Sequence, residues 1–407
     1  MSFLYSKRSV SSTHNEIKLL GCIRIKQRKV LQDACYYHHL PIEPKKVFFR
    51  SVFGTYGCNP KYIAEEILRQ GLDWDLVWEV EKNILHYIDS FPKEIRLVMR
   101  GSQECIRELA TARIWIENER KINLLGNGFF KRPGQIYIQT WHGSLGIKKT
   151  GAERNDATKS AIKLCDADAQ QMDYFISNAS YTTDFYKTLF KSKGEILEYG
   201  CPRNDIFFSK KSALIRNRVC DSLGIETSQK ILLYAPTFRE QGELKGYTLD
   251  HAPVVAAFKE RFGGEWVEVV RLHPKMFDYE KLIIPDDQGI IDGTYYPDMQ
   301  ELLAVADAVI TDYSSCLYDY LLTQRPGFIF APDMSKYSIQ RGLRYPLNET
   351  PFPLAETNET LIENIRHFNE EKYKRNVEKF LKDKGSIDDG QAAKRVVELI
   401  KGIIDKQ

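Results

Sequence analysis

The stretch Ala306–Leu322, ADAVITDYSSCLYDYLL, decides the fold of this chain. Ala308 to Ile310 form an apolar run typical of a buried strand, and from Ser314 onward the apolar residues recur at helical spacing. The stretch therefore predicts a strand, a tight turn and a helix start with two hydroxyls. Helix N-termini present unpaired N–H groups, so Ser314 and Ser315 stand where a phosphate is bound. A simple helix cap is the alternative, because serine favours that position with or without a ligand.

The same alternation of strand and helix extends outward from this stretch. Apolar runs that favour strands lie at residues 47–53, 74–80, 95–99, 113–117, 135–140, 174–177 and 194–199, and then at 231–234, 266–272, 289–291, 308–310 and 327–330. Regular alternation of this kind predicts parallel sheets with helices on both faces. We therefore predict an α/β fold with two doubly wound, Rossmann-like domains that face a central cleft.

The pattern divides the chain into four parts. Residues 1–45 are basic, which is compatible with contact to an anionic membrane surface and equally with a solvated basic face. Residues 46–205 and 206–388 are predicted to form the two domains, with a hinge near residues 202–208. Residues 389–407 have apolar positions at helical spacing and are predicted to form a helix that packs back on the first domain.

The composition limits the class of protein. The chain has 407 residues, enough for two domains, with a hydrophobic fraction of 43% and a charged fraction of 28%, as in globular proteins. The net charge of +3 is too small to indicate nucleic acid as a partner. The eight cysteines include no C-x-x-C pair, and no apolar leader or bilayer-length run is present. These features predict a cytoplasmic protein with reduced thiols and at most peripheral membrane contact.

Two histidines directly follow predicted strands. His142 and Gly143 come after the run that ends at Trp141, and His273 comes after residues 266–272. Ligands of open α/β sheets bind outside the carboxyl ends of the strands, so both imidazoles are predicted to face the cleft. A histidine in this place can remove a proton from a hydroxyl, although a loop histidine bonded to a backbone carbonyl is the alternative.

Other polar residues in the second half suit an anionic ligand. The candidates are Thr237, Arg239, Lys275 and Arg341. Asp319, one helical turn beyond Ser315, suits a ligand hydroxyl or supports the helix start. The sequence has no P-loop, no Rossmann glycine fingerprint and no Cys/His cluster at metal-ligand spacing. A P-loop kinase, a nicotinamide dehydrogenase and a metal site are therefore not expected.

The order of the motifs resembles that of the CDP-glycerol glycerophosphotransferase family, the primases and polymerases of teichoic acids and related polyol-phosphate polymers. The motifs are NPKYI (59–63), RIWIEN (113–118), GQIYIQTWHGS (134–144), IKKTG (147–151), YGCPRND (199–205), LLYAPTFRE (232–240), RLHPK (271–275), DMQELLAVADAVITDYSS (298–315), YDYLL (318–322) and RGL (341–343). The family has a two-domain GT-B fold and needs no cofactor. The chain departs from the family pattern at Ser144–Leu145, where Thr-Pro is usual.

The resemblance implies a role for each motif. An acceptor hydroxyl, deprotonated by His142, attacks a CDP-polyol, with glycerol as the expected polyol, and CMP leaves. The acceptor is lipid-linked or a glycan, as in the synthesis of teichoic acid or capsule-type polymers at the inner face of the membrane. Residues 46–205 are then the acceptor domain, with Gly143, Ser144 and Lys148 on the acceptor side. Residues 206–388 are the donor domain, with His273 as the second catalytic residue and Thr237, Arg239, Lys275, Asp312, Ser314, Ser315, Asp319 and Arg341 as donor-binding residues.

Two other functions fit the same pattern. A GT-B glycosyltransferase or epimerase that uses a UDP-sugar has two similar domains, and a panel of donors separates the two by the release of CMP or UDP. A non-catalytic polymer-binding protein would tolerate replacement of both His142 and His273.

Overall fold

The computed structural model describes residues 5–9, 14–19, 23–28, 37–82, 88–120, 130–150, 153–154, 157–239, 247–273, 276, 284 and 289–406. Strands β1 (Tyr5–Ser9), β2 (His14–Leu19) and β3 (Ile23–Arg28) form a small antiparallel sheet within the basic N-terminal segment. The strand pattern of the sequence did not include this sheet.

A seven-stranded parallel sheet forms the first half of the molecule. Its strands are β4 (Glu43–Arg50), β5 (Asp75–Val80), β6 (Ile95–Met99), β7 (Ala112–Glu117), β8 (Ile136–Gln139), β9 (Tyr174–Ser177) and β10 (Glu195–Glu198), in the order β10-β9-β8-β7-β4-β5-β6. The described helices of this half are α1 (Cys58–Arg69), α2 (Gln103–Thr111), α3 (Lys159–Ala169) and α4 (Ser180–Phe190). The chain first adds β5 and β6 on one side of β4 and then β7 to β10 on the other side, so the strand order reverses between β4 and β7. A ligand crevice opens at such a reversal, outside the ends of β4 and β7.

The second half repeats this plan with a six-stranded parallel sheet. Its strands are β11 (Lys230–Tyr234), β12 (Trp266–Val270), β13 (Ile291–Asp292), β14 (Ala308–Thr311), β15 (Gly327–Phe330) and β16 (Leu354–Ala355), in the order β13-β12-β11-β14-β15-β16. The described helices are α5 (Ser212–Leu223), α6 (His251–Phe262), α7 (Met299–Val305), α8 (Cys316–Tyr320), α9 (Met334–Gln340), α10 (Asn358–Arg366) and α11 (Glu370–Asp383). The reversal here lies between β11 and β14. The two parallel sheets confirm the predicted α/β fold.

Apart from β1 to β3 and β16, which the sequence pattern did not include, the described strands form where the pattern predicts them, with shifts of a few residues at their ends. All four residues of β14 are buried, because a parallel strand is covered on both faces and reads as a continuous apolar run. The helix predicted from Ser314 begins two residues later, as the five-residue helix α8. The segment Pro202–Phe208 is a short 3₁₀ helix, and α5 therefore starts at Ser212.

The last helix, α12 (Ala392–Ile404), packs on the first sheet. Its apolar side chains Val396, Val397 and Ile400 are fully buried in one cluster with Ile63 and Ile67 of α1. The chain thus returns from the second half to complete the core of the first. In the part of the chain described above, no helix combines the length and the apolar character needed to cross a bilayer.

A buried ion-pair group joins the two halves. The Lys61 ammonium of α1 donates to Asp298 and to Glu301, each at 2.7 Å, and the Tyr62 hydroxyl donates to Asp298 at 2.9 Å. Burial on its own would lower the pKa of Lys61, but the neighbouring carboxylates, Asp298 foremost, raise it above the ordinary value. Lys61 is therefore charged at neutral pH and fixes α1 against the start of α7.

Candidate active site

A cleft between the two sheets lies over both strand-order reversals. It has a large lobe of about 850 Å³ and a small lobe of about 260 Å³. The residues that line both lobes are Val52, His142, Lys148, Thr237, His273 and Ser315. The structure thus brings five of the sequence-predicted site residues to the junction of the lobes, where two substrates would meet.

A backbone contact fixes the tautomer of His142, which follows β8. Its Nδ1 lies 2.6 Å from the carbonyl oxygen of Asn118, the residue after β7. A carbonyl only accepts hydrogen bonds, so Nδ1 carries the proton and Nε2 keeps a lone pair. The carbonyl contact that sequence reasoning offered as the alternative to a catalytic role is therefore present, and it prepares the ring to act as a base.

The environment of His142 keeps the ring neutral. The walls of the cleft desolvate the imidazole and lower its pKa to about 4, and the nearby cations Arg203 and Lys148 contribute in the same direction. The bond to Asn118 opposes this shift. The side chain is nevertheless accessible from the cleft. At pH 7 the imidazole is therefore neutral, with a lone pair on Nε2, and within reach of a substrate.

The backbone before His142 is strained and clamped. Trp141 has a φ of 52°, in the left-handed region that is unfavourable for a bulky residue. Its N–H donates to Gln139 Oε1 at 2.8 Å, and its carbonyl accepts from Asn59 Nδ2 at 2.9 Å. The indole stacks on the imidazole, with ring centroids 4.6 Å apart. These contacts set the direction of the His142 side chain.

Arg203, in the YGCPRND motif, supports the same loop. Its Nη1 donates to the His142 carbonyl at 2.6 Å, and its Nη2 pairs with Asp319 at 2.7 Å. Its backbone N–H donates to Asn59 Oδ1 at 3.0 Å. Sequence reasoning gave Arg203 no role, and its place in an ordered motif was the one signal that pointed to it.

Asp319 links the two halves of the cleft. It is 1% exposed, and its carboxylate accepts from Ser144 Oγ at 2.7 Å and from Asn204 Nδ2 at 3.3 Å, besides its pair with Arg203. These protein partners agree with the supporting role that was the alternative to a ligand contact, and Asp319 also lines the small lobe. Ser144, predicted on the acceptor side, is one of them. Both residues hold the loops that carry His142 and Ser315.

Arg239 also turns towards protein carboxylates. Its Nε and Nη2 bind Asp333 at 2.7 and 2.9 Å, and its Nη1 pairs with Asp312 at 2.8 Å. The sequence predicted that this fork binds a phosphate or a carboxylate, and it did not single out Asp333. Asp312 also accepts from the backbone N–H groups of Thr237 and Tyr313, at 2.9 and 2.6 Å. It therefore shapes the loops that follow β11 and β14.

Lys148 lies on a first-half loop that is joined to the second half. It forms an antiparallel bridge with Leu343, and Arg344 Nη1 donates to the Gly146 carbonyl at 2.8 Å. Burial lowers the pKa of Lys148 to about 8; Asp312 raises it, and the neighbouring Arg341 lowers it further. Although predicted on the acceptor side, Lys148 is within electrostatic reach of residues predicted to bind the donor.

The loop of His142 approaches the start of α8 closely. A Cβ placed on Gly143 would lie 3.8 Å from Ser315 Oγ, and one on Gly146 would lie 3.2 Å from Ser315 Cβ. Ser314 Oγ accepts from the Cys316 N–H at 3.4 Å, as in a helix cap, whereas the Ser315 hydroxyl makes no capping bond. Ser315 is the serine that lines both lobes.

The remaining predicted residues have different positions. The imidazole of His273, after β12, lies 5.6 Å from the Phe238 ring, between centroids. Arg341 lines the large lobe only. Lys275 lies outside the described residues.

The large lobe is strongly cationic. Its basic residues are Lys148, Arg154, Arg239, Lys336, Arg341 and Arg344, and its acidic residues are Glu119 and Asp333. Arg154, Lys336 and Arg344 were not singled out from the sequence. An excess of cations in a concave site favours a ligand with several negative charges, such as a pyrophosphate.

The chain matches known proteins over most of its length. Residues 34–402 match the family described as CDP-Glycerol:Poly(glycerophosphate) glycerophosphotransferase. A teichoic acid poly(glycerol phosphate) polymerase from Bacillus spizizenii is 29% identical over 376 residues, which cover 89% of this chain and 93% of that protein. A teichoic acid glycerol-phosphate transferase from Staphylococcus aureus is 28% identical over 392 residues, or 92% of this chain and 98% of that protein.

A solved structure of the wall teichoic acid polymerase TagF superposes with a TM-score of 0.79 at 25% identity, covering 93% of this chain and 95% of that one. This likeness confirms the predicted GT-B arrangement of the two sheets. The chain belongs to the CDP-glycerol:poly(glycerophosphate) glycerophosphotransferase family, and it is an enzyme that transfers glycerol phosphate.

Proposed function

We propose that the protein transfers glycerol phosphate from CDP-glycerol to a hydroxyl of a teichoic acid chain and releases CMP. The observation that carries the proposal is the neutral His142, protonated on Nδ1, at the junction of the two lobes and beside Ser315 and His273. The names of the two relatives above support glycerol phosphate as the transferred group and teichoic acid as the acceptor.

In the proposed reaction His142 is the general base. The acceptor hydroxyl gives its proton to Nε2 as its oxygen forms a bond to the distal phosphorus of CDP-glycerol. The bond from that phosphorus to the CMP phosphate oxygen breaks, and CMP leaves with the electron pair. In this proposal Ser315, His273 and the Lys148 ammonium, which line both lobes, stabilise the charge that grows on the leaving group.

The test is CMP release by the purified protein with CDP-glycerol and a lipid-linked acceptor that ends in glycerol phosphate. Removal of a general base costs about 10² to 10⁴ in rate, so we expect His142→Ala to lose that factor while CDP-glycerol binds within a few-fold of its original affinity. His367→Ala is the matched control, because the His367 side chain is 80% exposed. Full turnover by His142→Ala, or release of UDP from a UDP-sugar in place of CMP, would refute the proposal.

We also propose that the enzyme works at the inner face of the cell membrane, where a lipid-linked acceptor is presented. The support is the charge of residues 1–45, with eight lysines and arginines against three acidic residues. We expect the protein to sediment with vesicles that contain anionic lipid, and less so as salt is raised, because salt screens such contacts. Equal sedimentation with neutral vesicles would contradict this arrangement.

A further inference from the structure

We propose that Arg344 is a positioning residue for the transfer. It reaches from the second half of the molecule to the first-half loop 145–150 and thereby places the Lys148 ammonium in the cleft. The inference rests on the proposed function, in which Lys148 stabilises the leaving group. It goes beyond that function by assigning a residue that acts through Lys148 and not by contact with a substrate.

The backbone segment after α9 pairs with the loop 145–150, which follows β8. The Lys149 N–H donates to the Gly342 carbonyl at 3.1 Å, and Lys148 lies opposite Leu343 in an antiparallel bridge. The two chains approach closely, because a Cβ placed on Gly342 would lie 2.6 Å from Lys149 Cδ. The loop that carries Lys148 therefore takes its register from the second half.

The side chain of Arg344 strengthens this pairing. Its Nη1 donates to the Gly146 carbonyl at 2.8 Å, and its Nη2 donates to Thr150 Oγ1 at 3.0 Å. Its Nε pairs with Glu153 at 3.2 Å, and its Cζ lies 3.4 Å from the ring centroid of Phe185. All four partners belong to the first half. A planar guanidinium presents its donors in a rigid fork, so it can fix several points of a loop at once.

The two bonds from the Nη atoms of Arg344 flank the lysine. Gly146 and Thr150 lie two positions before and two positions after Lys148, which lines both lobes of the cleft. The Arg344 side chain is 12% exposed, and each of its three nitrogens has a partner in the first half. The guanidinium is thus directed at the loop, and it fixes the backbone on both sides of the catalytic cation.

The surroundings of Lys148 explain why the loop needs this support. Burial lowers the pKa of Lys148 to about 8, and the cations Arg341 and Arg239 contribute in the same direction. Asp312 and Cys316 oppose the shift. An ammonium released from the cleft would turn to water, where the pKa of a lysine is about 10.4. The ammonium therefore stays in the cleft only while the loop is held.

The experiment is a double-mutant cycle on kcat for CMP release, with Arg344→Met, Lys148→Met and the double variant. Misplacement of a reacting group by about 1 Å costs about 10² in rate, so we expect Arg344→Met to lower kcat about 10²-fold. In the Lys148→Met protein the same change should cost less than about threefold, because the group through which Arg344 acts is already absent. There the affinity for CDP, measured by calorimetry, should also change less than about threefold.

The pH profile is a second readout, which a purely structural role would not change. In the Arg344→Met protein the hydrated lysine keeps its charge to higher pH, so the alkaline limb of kcat/KM should move from about pH 8 to about pH 9 or above. If circular dichroism shows that Arg344→Met does not fold, Thr150→Val removes one partner of the guanidinium. It should lower kcat about threefold, and again only where Lys148 is present.

Arg366→Met is the matched control, because Arg366 pairs with Glu260 and Glu363 on the surface, and we expect its kcat to be unchanged. Losses that multiply in the double variant, or an alkaline limb that does not move, would overturn the positioning role. A large loss of CDP affinity on Arg344→Met in the Lys148→Met protein would show direct contact with the ligand and would overturn it as well. Absence of CMP release by the unaltered protein would instead refute the proposed function, so the two failures are distinguishable.

Discussion

The pH dependence of turnover is the sharpest test of the site. The base His142 must be neutral, and its pKa is lowered to about 4; the cation Lys148 must be charged, and its pKa is lowered to about 8. We therefore expect kcat/KM for CDP-glycerol to be flat from about pH 5 to 7 and to fall on both sides. The acid limb arises because protonation removes the base, and the alkaline limb arises because deprotonation removes the cation.

The size of the effect follows from these two pKa values. An ordinary histidine with a pKa of about 6.5 would leave about a tenth of the base neutral at pH 5.5. A histidine with a pKa of about 4 is almost wholly neutral there. The protein should thus keep nearly full kcat/KM at pH 5.5, about tenfold more than an unperturbed imidazole allows. At pH 9, one unit above the pKa of Lys148, the rate should be about a tenth of its maximum.

The assay is CMP release at low CDP-glycerol concentration from about pH 3.5 to 9.5, with circular dichroism at each pH to monitor folding. Lys148→Arg should remove the alkaline limb, because a guanidinium keeps its charge throughout this range. A half-maximal rate at about pH 6.5 would refute the desolvated base. An alkaline limb that persists unchanged in Lys148→Arg would refute the role of the lysine.

Three further predictions concern the framework of the site. Asn59 is 1% exposed and bonds to the carbonyls of Thr140 and Trp141 and to the N–H of Arg203. Asn59→Ala should therefore lower kcat about tenfold or more with little change in the KM for CDP-glycerol. A changed KM at constant kcat would contradict this role. Lys61→Met leaves Asp298 without its buried cation and should lower the free energy of unfolding, measured in urea, by about 3–5 kcal/mol. A loss below about 1 kcal/mol would show that this pair does not hold the two halves together. Ile400→Ala should lower the free energy of unfolding by about 2–5 kcal/mol, because Ile400 is fully buried. The control Lys394→Ala changes an exposed residue of the same helix and should lower it by less than about 0.5 kcal/mol. Equal effects would argue against docking of α12 on the first sheet.

The strands and the strand ends that carry the site were predictable because their determinants are local. A strand buried on both faces needs an apolar run, which is why residues 174–177 and 327–330 were predicted with the bounds that the structure gives them. The carboxyl ends of parallel strands lie on one edge of a sheet, so His273 and Ser315 could be expected at one edge of the second sheet and His142 at the same kind of edge in the first.

The direction of each side chain was not predictable in this way. Arg239 and Asp319 have the residue types of ligand-binding groups, but the structure pairs them with Asp333 and with Ser144 and Arg203. Such partners lie far away in the sequence, and a buried charge is stable only where the fold supplies the opposite charge. No local pattern records which distant group that is.

The sequence by itself determined the α/β architecture, the family and the strand ends that carry the chemistry, since apolar periodicity and motif order are properties of neighbouring residues. Only the tertiary structure decided the order of the strands in each sheet. This order places the two points of reversal opposite each other across one cleft. The tertiary structure also decided the contact from the Asn118 carbonyl that leaves Nε2 of His142 free, and the gathering of basic side chains in the large lobe of the cleft. These features depend on contacts between the two halves, which exist only once both sheets have formed and packed together.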